Sequence, residues 1–264
     1  MEIAGEKAGI LKESVPVIVA EQRPEAREVI LERARALRCP VTETLQIFRT
    51  DYQATTNSLP RARVTEVATG WAIDLAPSLP GQFQLGNALN AVAAARLLQG
   101  RGYRISDESI SQGIATTVWP GRLEKLQSRP DVYLDGAHNP SAARELAAFL
   151  EENFAGHRIF LLYGAMRDKA VDEVAGLLFP RASEVIFTEP RTPRAISASQ
   201  LEEIAAHHAP QDRVIADAEQ ALDYVLAKAA PDDAVFVTGS LYLVGQLRHY
   251  WKQRAQVAAG SRNG

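Results

Sequence analysis

The stretch Val132-Tyr133-Leu134-Asp135-Gly136-Ala137-His138-Asn139-Pro140 constrains the fold more than any other part of the chain. A short apolar run ends in an acid, a glycine and a histidine, and then in Asn-Pro. Asn139 can cap a helix with its side chain, and Pro140 suits a first helical position. The spacing predicts a helix over 141–152 with Leu146, Phe149 and Leu150 on one face. A strand therefore hands over to a helix at Asp135 and His138. Open α/β sheets bind ligands at such points, beyond the carboxyl ends of their strands.

The same alternation runs through the C-terminal half. Strand-like runs at 132–134, 158–163, 184–188, 213–216 and 234–238 are separated by helical patterns at 171–178, 199–207 and 218–229. Strands alternating with helices imply βαβ units and a mostly parallel, Rossmann-like sheet. Residues 118–264 are expected to form a complete α/β domain of this kind.

Residues 1–117 read differently. Val15–Ala20 is strand-like, with Pro16 tolerated at its start. An amphipathic helix is expected over 24–37, with Val29, Ile30 and Leu37 inward. Two strands, 63–68 and 70–75, pair about Thr69-Gly70, and helices follow at 87–98 and at 106–115, the latter capped by Ser106. A parallel sheet needs neighbours on both sides of a buried strand. The region is therefore expected to be the back half of a larger α/β domain, with an unpaired strand edge, exposed apolar surface and lower stability than 118–264.

Composition narrows the classes. An apolar fraction of 46% can fill cores, and a net charge of −3 offers no general attraction to nucleic acid or an anionic membrane. No apolar run approaches the roughly 18 residues of a membrane span, and the first residues hold no apolar signal core. The single cysteine, Cys39, is expected to be a buried, inert thiol in a reducing cytoplasm. No GxGxxG, CxxC, HExxH or GxSxG motif occurs, so nicotinamide enzymes, metal hydrolases of that type and nucleophile-elbow esterases lack support.

Asp135-Gly136-Ala137-His138-Asn139-Pro140 resembles the signature opening the C-terminal domain of folylpolyglutamate synthase/dihydrofolate synthase, within the Mur ligase superfamily. Three further stretches resemble the same family in the same order: Glu6-Lys7-Ala8-Gly9-Ile10-Leu11-Lys12, Trp119-Pro120-Gly121-Arg122-Leu123-Glu124 and Thr238-Gly239-Ser240-Leu241-Tyr242. The resemblance implies a Rossmann-like C-terminal domain joined to the back half of a Mur-ligase-type central ATPase domain. The family's GKGS-type phosphate loop and its magnesium ligands, expected upstream of Glu6, are not matched.

The resemblance implies an ATP-dependent ligase. A carboxylate of a pterin or folate substrate is phosphorylated, and the acyl phosphate is attacked by the amino group of L-glutamate. ATP, magnesium, L-glutamate and a pterin or folate substrate are the implied ligands. The chain would be a C-terminal fragment, inactive alone, whose partner is the missing N-terminal half. Two alternatives stay open: a non-catalytic nucleotide-binding or interaction module, and another Mur-type amide ligase.

Each candidate residue also has an ordinary structural role open to it. Asp135 could accept from ribose hydroxyls, as the resemblance implies, or serve as a turn carboxylate. His138 could meet a phosphate or position the acyl phosphate, or satisfy a loop carbonyl. Arg122, beside Gly121 at an expected interdomain hinge, could grip phosphates bidentately or be a solvated linker residue. Asn87, in Gln84-Leu85-Gly86-Asn87-Ala88, resembles the family's adenine-reading asparagine, with a helix cap as the alternative; Asn90 is a less well matched neighbour. Ser240 caps the next helix and is implied to lie near the amino acid's carboxylate. Lys169, or Arg167 near it, is implied to hold that carboxylate. Lys7 resembles the family's lysine that carbon dioxide converts to a metal-binding carbamate. The other histidines, His157, His207, His208 and His249, are expected at helix ends or surface turns, with no pair at metal-ligand spacing with a carboxylate.

Overall fold

A computed structural model describes residues 2–56, 59–167 and 170–260. The chain forms two compact units that divide between Val118 and Trp119.

The first unit opens with α1 (Glu2–Ala8), β1 (Val17–Val19), α2 (Pro24–Ala36) and β2 (Val41–Glu43). β1 and β2 pair in parallel, with Val17 opposite Val41. Among the described residues β1 is paired on that one side. A short helix α3 (Thr44–Ile47) leads into an antiparallel sheet of β3 (Phe48–Thr56), β4 (Leu59–Glu66) and β5 (Ala72–Leu75). Helices α4 (Phe83–Gly100) and α5 (Asp107–Ala115) complete the unit. Leu85, Leu89 and Val92 of α4 pack on Ala62, Val64, Ile73 and Leu75 of the antiparallel sheet. Burying each such side chain contributes about 1.5–3 kcal/mol. A second cluster joins Val17 and Val19 to Ala34 and Cys39, with Ile30 and Leu37 packed against it. Cys39 is buried, and its thiol donates to the Lys12 carbonyl at 3.1 Å.

The second unit contains a six-stranded sheet. Its strands are β6 (Glu124–Gln127), β7 (Asp131–Leu134), β8 (Ile159–Tyr163), β9 (Glu184–Glu189), β10 (Asp212–Asp217) and β11 (Ala234–Thr238). The spatial order is β10-β9-β8-β11-β7-β6. All neighbours are parallel except the edge strand β6, which pairs antiparallel with β7. Five helices connect and follow them: α6 (Pro140–Phe154), α7 (Val171–Leu178), α8 (Ala198–Ala205), α9 (Ala218–Lys228) and α10 (Leu241–Gly260).

Alternation of side chains along the central strands gives each sheet face its own core. Val235 and Val237 join Val132, Leu134, Phe160 and Leu162 beneath α9 and α10. Phe236 points the other way and stacks on Tyr133 at a centroid distance of 5.0 Å, with Phe149 and Phe154 of α6 edge-on to both. The expected helix face of Leu146, Phe149 and Leu150 is buried.

Candidate functional site

The three central strands of the second unit each run out into glycine: Gly136 after β7, Gly164 after β8 and Gly239 after β11. Backbone packs on backbone here. A Cβ at Gly239 (φ +98°) would stand 2.7 Å from the Gly164 carbonyl oxygen, and one at Gly164 would stand 2.8 Å from the Thr188 carbonyl oxygen. The Gly239 N–H donates to the Ala137 carbonyl at 2.9 Å, and the Thr238 hydroxyl donates to the same carbonyl at 3.2 Å. The carboxyl edge of the sheet is thus a rigid platform for the loop 135–139.

Asp135 ties that loop to a second one. Its side chain is 8% exposed, and each oxygen accepts a backbone N–H at 2.9 Å, Oδ1 from Ala137 and Oδ2 from Leu123. Burial pushes the carboxyl above its usual range. The two N–H donors, and the Arg122 guanidinium nearby, work against that rise. The Gly136 N–H adds a bond to the Gly121 carbonyl at 2.8 Å. From the other side Glu124 accepts the Gly121 N–H at 2.8 Å and the Arg248 Nε–H at 2.8 and 2.9 Å. Glu124 closes the Trp119–Glu124 stretch, but nothing in the sequence points to Arg248 as its partner. Their contact spans 124 positions of the chain, and local pattern carries no trace of it.

The two clamped loops carry the candidate polar side chains. His138 is half-buried, with Nδ1 2.7 Å from the Gly136 carbonyl oxygen. A carbonyl can only accept, so Nδ1 carries a proton and donates it there, which leaves Nε2 for a ligand. Arg122 is exposed beside the Trp119 ring, 5.8 Å from its centroid, and no described carboxylate pairs with it. Ser240 is buried, and its Oγ accepts the Tyr242 N–H at 3.1 Å at the start of α10, leaving the hydroxyl proton to donate elsewhere. Asn139 caps α6 by accepting the Ala142 N–H at 3.0 Å.

In the first unit, α4 begins at Phe83, so Asn87 lies in its second turn rather than at the cap. That corrects the capping alternative for Asn87. Its Nδ2–H donates to Gln84 Oε1 at 2.9 Å, and its side chain is exposed. Gln84 Nε2 and Asn90 Oδ1 are both buried without a hydrogen-bond partner. Gln84, Asn87 and Asn90 share one helix face at spacings of three residues. This stripe offers a donor and an acceptor still to be satisfied, which suits a heterocyclic base.

The remaining candidates are placed as follows. Lys7 is exposed on α1. Among the described residues no group of three His, Cys, Asp or Glu ligand atoms includes its neighbourhood. Lys169 lies outside the described residues; Arg167 is exposed, and its Nε–H donates to the Ala195 carbonyl at 3.3 Å. One expectation is overturned: His207 and His208 do meet a carboxylate, Asp172, which stands 36 positions from His208 in the chain.

The protein-family model described as "Mur ligase, glutamate ligase domain" matches residues 121–241, which include both clamped loops. The dihydrofolate synthase/folylpolyglutamate synthase of Bacillus subtilis is 33% identical over 94% of this chain and 57% of its own length. Escherichia coli FolC, solved in complex with DHPP and ADP, superposes with a TM-score of 0.80 at 28% identity, covering 96% of this chain and 57% of that one. The bifunctional folylpolyglutamate synthase/dihydrofolate synthase of Yersinia pestis, complexed with AMPPNP and Mn ion, superposes with a TM-score of 0.76 at 27% identity over 94% and 56%. The chain thus spans a little over half the length of these relatives. Over nearly its whole length the chain is similar to these folylpolyglutamate synthase/dihydrofolate synthases, and its residues 121–241 match the Mur ligase glutamate ligase domain.

Proposed function

We propose that this chain supplies part of the site of an ATP-dependent ligase that joins L-glutamate to dihydropteroate, to reduced folates, or to both. The observation that carries the proposal is the Asp135 clamp. It holds Arg122 and His138 on two loops fixed against one buried carboxylate, within the segment matching the glutamate ligase domain. The names of the relatives supply the substrate class, and the ADP and AMPPNP in related structures support a nucleotide substrate.

The roles follow from the chemistry of each group. His138, as an imidazolium, donates from Nε2–H to a phosphoryl oxygen, and Arg122, which no described carboxylate pairs, grips phosphoryl oxygens bidentately. Carboxylate activation as an acyl phosphate, followed by attack of the glutamate amine, is the sequence of steps in which they act. Asn87, with Gln84 and Asn90, reads the adenine. Asp135 serves the nucleotide site chiefly as a positioning residue, because both of its oxygens already hold backbone N–H groups. Ser240 donates its hydroxyl proton to the glutamate carboxylate, and Lys169 is the cation assigned there. A divalent metal is expected with the nucleotide, but Lys7 alone does not make a site for a hard dication that takes about six oxygens. The buried free thiol of Cys39 suits a reducing compartment, and we assign the reaction to the cytoplasm. Among the described residues no helix is long and apolar enough to cross a membrane.

The reaction needs more than this chain spans, and we expect the chain alone to be inactive. The test joins it to the segment of the Bacillus subtilis relative that lies outside the match. Mass spectrometry of the products from Mg-ATP, L-glutamate and dihydropteroate, or a reduced folate, should show a pterin carrying one added glutamate. A folded fusion that adds glutamate to neither acceptor would overturn the proposal.

A further inference from the structure

One cluster apart from the candidate site gathers three metal-type ligands. Asp172 is the second residue of α7, and His207 and His208 are consecutive on the 3₁₀ turn Ala206–His208 that follows α8. With three residues per turn, successive side chains on such a turn diverge by about 120°. Here the two rings instead converge on one carboxylate oxygen. His208 Nε2 is 2.9 Å and His207 Nε2 3.4 Å from Asp172 Oδ1. The ring centroids are 3.9 Å apart, and the three ligand atoms all lie within 4.8 Å of one another.

The backbone makes room for this arrangement. Gly176 lies one helical turn beyond Asp172, and a Cβ there would stand 3.3 Å from His208 Cε1. A Cβ at that position would require the ring to give by a few tenths of an ångström. Two protonated imidazoles this close would repel each other, whereas a dication satisfies the carboxylate and both Nε2 lone pairs at once.

We propose that Asp172, His207 and His208 bind a divalent transition cation of the zinc class, with water completing its coordination. Tetrahedral bonds of about 2.0–2.1 Å place ligand atoms about 3.3 Å apart. The His207–Asp172 separation of 3.4 Å already matches that spacing, and the 2.9 Å pair needs to open by only a few tenths of an ångström. Two imidazoles and one carboxylate favour zinc, nickel or copper over magnesium, so this site is separate in chemistry from the nucleotide's metal. A bound cation would tie the first turn of α7 to the turn after α8.

The test uses the full chain, stripped of metal and titrated with Zn²⁺ against a chromophoric chelator, with Co²⁺ as a spectroscopic probe. One Zn²⁺ per chain should bind, and Co²⁺ should give visible ligand-field bands without a thiolate charge-transfer band. His207→Gln and Asp172→Asn should each weaken Zn²⁺ binding at least tenfold with the far-UV circular dichroism unchanged, and His249→Gln should leave it as it was. Zinc should raise the Tm of the unsubstituted chain and not that of the two weakened variants. Absence of Zn²⁺ uptake, or uptake that H207Q and D172N leave unchanged, would overturn the proposal.

Discussion

Asp135 and Leu123 are joined by a hydrogen bond of 2.9 Å from the Leu123 N–H to Asp135 Oδ2. Leu123 is buried and has a φ of +44°, a region that a branched side chain seldom adopts. The clamp therefore holds a strained residue in place, and with it the exposed guanidinium next door on Arg122. Asp135→Ala should lower stability by about 1–3 kcal/mol for each N–H left unpaired in the interior. A fall in the urea midpoint at unchanged slope would show it, and an unchanged midpoint would dismiss the clamp as a stabilising element.

The same residue gives a pH dependence of definite sign. Burial raises the folded pKa of Asp135 above 3.8, so the proton is bound more tightly in the folded chain. The associated stability is fully present below pH 3.8 and is lost as pH rises through the folded value. The stability gap between the natural chain and Asp135→Asn should narrow from acid toward neutral pH.

Asp217 behaves in the opposite way. It caps α9, accepting the Glu219 and Gln220 N–H groups at 3.0 and 2.9 Å, and the Gln220 bond leads in holding its carboxyl below 3.8. Its contribution is present above pH 3.8 and is lost as pH falls through the folded value. Asp217→Ala should cost about 1 kcal/mol at neutral pH, and the difference should fade in acid. Thermal melts at several pH values separate this behaviour from that of Asp135.

Glu184 is a carboxylate 1% exposed at the start of β9, bound by Lys228 Nζ at 2.5 Å and by the Tyr224 hydroxyl at 3.1 Å. Glu184→Ala leaves Lys228 and Tyr224 without that acceptor. Because Lys228 can still turn to solvent, the expected loss is about 1–3 kcal/mol rather than that of a fully enclosed pair. Equal denaturation midpoints for the two proteins would show the pair to be idle.

The first unit should yield to protease before the second. Among the described residues its parallel pairing is limited to β1 and β2, and Ile3, Ile10 and Val15 are exposed at 72, 76 and 49%. The second unit buries every residue of β8 and β11. Limited proteolysis followed by mass spectrometry should give early cuts before Val118 and a persistent fragment from about Trp119 onward.

Much of this was legible in the sequence, and the exceptions share a cause. The cap and first turn of α6 follow from Asn139-Pro140, and the buried central strands follow from unbroken apolar runs. β3 and β6 escape detection because Phe48–Thr56 and Glu124–Gln127 are polar strands at sheet edges, defined by their partners rather than by an apolar pattern. Asp135 was legible as a candidate, but not its bond to Leu123. The meeting of Asp172 with His207 and His208, and of Glu124 with Arg248, depends on how distant segments fold together. Spacing along the chain reports neighbours on one element and says nothing of such pairs.

The most direct test of the proposed ligase couples nucleotide turnover to amide formation. Glutamate-dependent ADP release should be measured for the chain joined to the unmatched segment of the Bacillus subtilis relative, with dihydropteroate or a reduced folate as acceptor. The expected result is one ADP per glutamate added, no release by the chain alone, and a loss in kcat of about 10²–10³-fold in His138→Ala with the fold retained. ADP release that ignores glutamate and pterin, or full activity in His138→Ala, would contradict it.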